Sequence, residues 1–169
     1  MKKIGIFYGS TTGTTAEVAN EIAKVMNVDK DSVYNVADTA PSKVADYDLI
    51  ILGSSSYGDG DLQPDMADFM DALESMDLRG KDVAIFGCGD ETMADTFCNA
   101  VGDIYYRLRN SGANMIGDFN TIGYEFSGSK AVVDGHALGL LTDEVNHPEM
   151  TAKRIKEWCE ELENQVVSF

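Results

Sequence analysis

Apolar residues along this chain gather into two alternating kinds of run. Lys3-Ile-Gly-Ile-Phe-Tyr8 is a short stretch of β-forming residues, Gly9 to Thr15 is glycine and hydroxyls, and apolar side chains then recur at Val18, Ala19, Ile22, Ala23 and Met26. Recurrence every three or four residues marks one face of a helix, so the segment reads strand, loop, helix. The unit returns with Asp48-Leu-Ile-Ile-Leu-Gly53, a polar turn, and a helix carrying Met66, Phe69, Met70 and Leu73 on one face. From Asp82 it returns once more: Val83 to Phe86, then Gly87-Cys-Gly-Asp90, then Phe97, Val101, Ile104 and Leu108 at helical spacing. A last helix carries Ile155, Trp158, Cys159, Leu162 and Val166.

Strands that are apolar without alternation, each followed by an amphipathic helix, are what a parallel sheet covered on both faces requires. The expected fold is therefore α/β, a doubly wound five-stranded parallel sheet with helices on both faces. Val33 to Val36 supplies a weaker second strand and Ala113 to Asp118 a fifth. Residues 119–137 are rich in glycine and polar side chains without a helical period, and read as a long excursion interrupting the last strand, which resumes near Leu138. At 169 residues, with no linker or low-complexity tract, residues 1–169 form one expected domain.

Charge changes the picture more than composition does. Apolar residues make up 44% and charged residues 25%, both ordinary for a folded globule, but 29 acids against 13 bases leave a net charge of −16. Such a charge repels nucleic acid and anionic membranes and steers basic protein surfaces inward, unless it serves solubility alone. Cys88, Cys98 and Cys159 form no CxxC or Cys/His cluster and read as buried, reduced thiols in a cytosol. The apolar run Ile4 to Tyr8 is too short for a signal peptide, and no membrane span is expected. His136 and His147 have no partner at ligand spacing, so neither a metal site nor a catalytic histidine is expected.

Ligands of an open α/β sheet bind beyond the carboxyl ends of the strands, where strand order reverses. Three loops reach that edge. Gly9-Ser10-Thr11-Thr12-Gly13-Thr14-Thr15 runs into a helix whose first turn has unpaired N–H groups and partial positive charge, and reads as a phosphate cradle. A triphosphate loop would need GxxxxGK[ST], and no base is present here. A hydroxyl-rich cap without ligand is the alternative, although one capping residue would suffice for that. The second loop, Ser54-Ser55-Ser56-Tyr57-Gly58-Asp59-Gly60-Asp61-Leu62, places a ring beside two glycines, free either to stack on a flat ligand or to pack on its own loop. The third, Gly87-Cys88-Gly89-Asp90 through Phe97, offers backbone donors and acceptors to the edge of a planar heterocycle.

Taken together, the loops resemble the flavodoxin family: the Ser/Thr-x-Thr-Gly-x-Thr phosphate loop, the aromatic-x-x-Gly loop, and Gly-x-Gly-Asp followed by Ala94-Asp95-x-Phe97. The resemblance covers essentially the whole chain. Gly123-Tyr-Glu-Phe, Ser129-Lys-Ala and Gly139-Leu-Leu-Thr-Asp-Glu-Val-Asn146 look like the insertion, about 119–137, that marks long-chain members. What the resemblance implies is strand order 2-1-3-4-5 and a monomer holding FMN non-covalently. Such a protein is an electron carrier rather than an enzyme, passing through quinone, semiquinone and hydroquinone states. It assigns Ser10 to Thr15 to the FMN phosphate, Tyr57 to one ring face, and the backbone of Cys88, Gly89, Asp90 and neighbours as far as Phe97 to the pyrimidine edge. Met93 stands where the family usually places a second stacking aromatic.

Gly58 is expected to let its peptide with Asp59 turn toward flavin N5 on the first reduction. Asp59, Asp61, Asp65, Asp90, Glu91 and Asp95, with a phosphate no base neutralises, would disfavour a second electron and dock a basic reductase or acceptor in transient complexes. Two rivals on similar sheets fit less well. An NAD(P)H-dependent flavin or quinone reductase would need a basic cluster for the dinucleotide phosphate. A phosphoacceptor domain needs acids after the first and third strands, where Tyr8-Gly9 and Gly53-Ser54 stand.

Overall fold

A computed structural model describes residues 3–57, 61–92 and 96–166; the expectations for Gly58, Asp59, Gly60, Met93, Ala94 and Asp95, and for the ring of Tyr57, lie outside what is described. The chain runs β1 (Ile4–Gly9), α1 (Thr14–Val25), β2 (Val33–Asn35), β3 (Leu49–Tyr57), β4 (Asp61–Leu62), α2 (Pro64–Leu73) and β5 (Asp82–Cys88). It continues with α3 (Asn99–Leu108), β6 (Asn114–Met115), β7 (Val132–Val133), β8 (His136–Ala137), β9 (Leu140–Thr142) and α4 (Pro148–Gln165). Parallel pairing gives the order β2-β1-β3-β5, with β6 and β9 both on the outer edge of β5, so the five principal strands stand in the order 2-1-3-4-5.

Alternation along each strand decides which helices cover which face. Ile6, Leu49, Ile51, Ala84 and Phe86 meet Val18 and Ile22 of α1 and Ile155, Trp158 and Leu162 of α4. Phe7, Ile50, Leu52, Val83 and Ile85 meet Met66, Phe69 and Leu73 of α2 and Val101, Ile104 and Leu108 of α3. Because both faces are covered, both sets of positions must be apolar, which is why the strands show no polar alternation in the sequence.

Several boundaries move. β3 runs on through Ser54, Ser55 and Ser56 to Tyr57, because Ser54 and Ser55 still pair with Gly87 and Cys88 of β5 and Ser56 and Tyr57 pair antiparallel with β4. Phe97 lies before α3 rather than in it. The fifth strand is split as expected but shorter, its halves pairing with opposite ends of β5: Asn114 and Met115 with Asp82 and Val83, and Leu140 to Thr142 with Phe86 to Cys88. The excursion between them is zipped at its base by two hydrogen bonds between Phe119 and Ala137, 2.9 and 2.8 Å. Arg154 of α4, 5% exposed, secures it from the other side by donating to Asn120 O at 2.8 Å, Asn120 Oδ1 at 3.1 Å and Leu141 O at 3.2 Å.

All three cysteines are free and buried. Burial pushes the Cys88 thiol up to about 11 and the Cys159 thiol to about 12, so neither is a thiolate nucleophile near neutral pH. No helix among the described residues is long and apolar enough to cross a membrane.

Candidate functional site

The carboxyl ends of β1, β3 and β5 bring the three predicted loops to one edge. At the first loop, Gly13 has φ +96°, a left-handed conformation that favours glycine, and it caps α1 without any side-chain hydrogen bond. The first helical N–H groups after Gly13 have no intrahelical acceptor, and the missing cap leaves them open. Ser10 Oγ accepts the Gly13 N–H at 3.1 Å, curling the loop over the helix end. Thr12 is exposed and Thr14 half-buried, whereas Thr15 is fully buried and its Oγ1 makes no hydrogen bond within the protein. The Cys88 thiol lies close enough to feel that hydroxyl, but sulfur is too weak a partner to satisfy it. A buried orphan hydroxyl beside uncapped helix N–H groups is a cradle for a phosphate.

The second loop is bound to the first by a residue that sequence reasoning passed over. Gln63, 1% exposed, caps α2 by accepting Met66 N–H at 3.0 Å and donates from Nε2 to Thr11 Oγ1 at 3.2 Å and Asp65 Oδ2 at 2.9 Å. Gly9 is glycine because a Cβ there would lie 2.4 Å from Gln63 Oε1. The available signal was Gln-Pro at a helix start, since proline favours the first helical position. Two of the three serine hydroxyls already have partners in the protein. Ser54 Oγ donates to Ser55 O and accepts Gln63 N–H, while Ser56 Oγ accepts Ala100 N–H at 3.1 Å at the start of α3. These two positions offer a ligand their backbone rather than their hydroxyls.

In the third loop, Gly89 N–H donates to Thr142 O at 3.0 Å, and a Cβ on Gly89 would come within 2.8 Å of Cys98 N. Asp90 Oδ1 accepts from Thr92 Oγ1, Thr92 N and Asn146 Nδ2, and the Thr92 hydroxyl above all holds the Asp90 carboxyl below the usual carboxylate range. The side chains of Cys88 and Phe97 point elsewhere. Cys88 Sγ lies 3.3 Å from Thr142 Oγ1, and Phe97 is fully buried against Phe126 at 5.0 Å and Tyr124 at 5.3 Å between ring centroids. Both are core residues, with only their backbone near the loop.

Asp143 is the second residue sequence reasoning missed. Fully buried, it accepts N–H bonds from Glu91, Val145 and Asn146 and fastens the third loop to the turn after β9. His147, read from the sequence as partnerless, meets Glu91 Oε1 at 2.5 Å, a partner far away in the chain. Among the described residues no three His, Cys, Asp or Glu side chains are grouped to hold a metal.

A doubly wound sheet whose ligand edge joins an uncapped helix end to two loops of backbone donors is the framework of a phosphate-anchored cofactor protein. A model of the flavodoxin family matches residues 6–158. Flavodoxin from Haemophilus influenzae is 38% identical over 168 residues, 98% of this chain and 97% of that protein. Flavodoxin from Synechocystis is 40% identical over 166 residues, covering 96% of each. Among solved structures, Fusobacterium nucleatum flavodoxin bound to flavin mononucleotide superposes with a TM-score of 0.89 at 29% identity, over 98% of this chain and 99% of that one. This chain belongs to the flavodoxin family.

Proposed function

We propose that this chain is a low-potential carrier of single electrons on one non-covalently bound FMN, moving them between larger redox enzymes. Bound flavin supplies the one-electron chemistry; the protein holds it and sets its energies. The observation that carries the reading is the open N-terminus of α1 with the buried, unpartnered Thr15 hydroxyl. Thr12, Thr14 and Thr15 hydroxyls and the first N–H groups of α1 hold the phosphate there, without a lysine or arginine in the loop. Ser10 and Thr11 are engaged by Gly13 and Gln63 and shape the cradle.

Tyr57 covers one face of the ring, with Met93 opposite. The backbone of Ser54 to Ser56 and of Cys88 to Asp90 meets the ring's edge, and Gly58 gives the next peptide room to turn. Asp61, Asp65 and Asp90 border the same edge, so basic reductases and acceptors dock there briefly and the second electron is disfavoured. The protein works as a monomer in the cytoplasm.

Purified protein should be yellow, release free FMN on acid precipitation, and oxidise no NADPH without an added reductase. A colourless protein that binds neither FMN nor riboflavin, or one that oxidises NADPH alone, overturns the reading.

A further inference from the structure

Glu91, one residue beyond Asp90 in the third loop, ties together three segments of the chain. Its N–H donates to Asp143 Oδ2 at 3.0 Å, its Oε1 meets His147 Nε2 at 2.5 Å, and its Oε2 accepts the Glu125 N–H at 2.7 Å. The loop is thereby fixed at once to the turn after β9, to the start of α4 and to the excursion. At 11% side-chain exposure, Glu91 has little water to replace a lost partner. Asn146 adds a second tie, reaching Asp143 Oδ2 at 2.8 Å and Asp90 Oδ1 at 2.7 Å.

The charges around His147 come from every neighbouring segment. Glu91 faces Nε2 from the third loop, and Glu149 faces Nδ1 from α4 at 3.4 Å. The Tyr124 ring from the excursion lies 5.8 Å away, with the Arg154 guanidinium 4.6 Å from that ring. Asp143 accepts the His147 N–H through its carbonyl, and Asp90 connects through Asn146. Two carboxylates meet one imidazole, and the Glu91 contact chiefly raises the His147 pKa above its ordinary 6.5.

We propose that His147 and Glu91, with Asp143, are positioning residues for the cofactor: they hold the third loop in the shape that receives the flavin ring, and protonated His147 holds it tightest. The inference rests on the assignment of that loop to the ring edge. Backbone groups contact the ring there, so whatever fixes the loop fixes the donors and acceptors. Because the folded pKa is raised, the ion pair is complete below about pH 6.5 and is lost as pH rises through the folded value. Flavin affinity should fall over that interval. Linkage requires the reverse as well: a ligand that orders the loop must raise the His147 pKa further.

Two measurements test this. Proton NMR titration of the two histidines, in apoprotein and in protein loaded with FMN or riboflavin, reads the linkage directly; His136, exposed at β8, is the internal reference. Fluorescence titration reads flavin affinity, and riboflavin removes the separate ionisation of the phosphate near pH 6. Between about pH 6 and 9 the parent should lose threefold to fivefold in riboflavin affinity, the upper end of the scale for an ion pair near the surface. His147 should titrate about 0.5 to 0.7 higher with either flavin than without, the logarithm of that factor. His147→Gln keeps a neutral donor to Glu91, so it should fold and bind but show no such step, and Glu91→Gln should behave likewise. A His147 pKa indifferent to flavin, or an unchanged profile in His147→Gln, overturns the proposal while leaving the FMN assignment intact. A protein that binds no flavin at any pH overturns both.

Discussion

Thr15→Val should move stability and cofactor affinity in opposite directions. The exchange replaces a hydroxyl by a methyl group of similar shape at a fully buried position. Without ligand, Thr15 Oγ1 is a buried polar atom lacking a hydrogen-bond partner, and such a group costs about 1–3 kcal/mol relative to one that is satisfied. Its removal should therefore stabilise the apoprotein by about 1 kcal/mol, less whatever the weak contact with the Cys88 thiol supplies. On the proposed assignment the same hydroxyl would donate to the charged phosphate of FMN, an interaction of about 1.5–3 kcal/mol, so FMN affinity should fall roughly 10- to 150-fold. Riboflavin has no phosphate and should bind as before. Urea denaturation of the apoprotein and fluorescence titration with both flavins make the comparison. A variant apoprotein destabilised by more than about 1 kcal/mol, or equal losses for FMN and riboflavin, would refute the argument, because the hydroxyl would then serve the core rather than a phosphate.

Gly53→Ala places a Cβ 1.9 Å from the Phe86 ring across β3 and β5, and urea denaturation should show a loss of at least about 1–3 kcal/mol. Ser56→Ala removes the acceptor for the Ala100 N–H and should cost about 1 kcal/mol in the same assay with little change in FMN affinity, because the hydroxyl belongs to α3. Asp61→Asn removes an exposed charge beside the second loop. Potentiometry should show the second reduction potential rising by roughly 20 mV, and stopped-flow reduction by a basic reductase should depend less on salt.

How much of this was legible in the sequence follows from how far apart the causes lie. The helical faces of α1, α2 and α4 were readable because Val18 and Ile22, Met66 and Met70, or Ile155 and Leu162 repeat within one element. The phosphate loop was readable too, since glycine and hydroxyls sit together just before a helix. Ser54 to Ser56 were misplaced because their polarity suggests a turn, yet the backbone of Ser54 and Ser55 pairs with β5 and that of Ser56 with β4, a fact local composition does not carry. Phe97 matched the period of α3, but burial against Tyr124 and Phe126 of the excursion explains it, with the helix starting two residues later at Asn99. Gln63, Asp143 and His147 were invisible for one shared reason: each acts on a residue more than fifty positions away.

The split of the fifth strand makes the excursion removable in principle. Residues 116–139 leave the sheet beside one end of β5 and return beside the other, and the Phe119–Ala137 pair closes the detour at its base. Closing a flexible loop of that size costs about 3 kcal/mol, a sum the base pair, the Arg154 anchor and the Lys130 N–H bond to Asn99 Oδ1 can offset between them. Evolution could thus lengthen, shorten or delete the segment without disturbing the register of the strands that carry the ligand edge. The sheet holds the cofactor ground in common, and the detour is the part of the chain in which a lineage can rewrite its outward face.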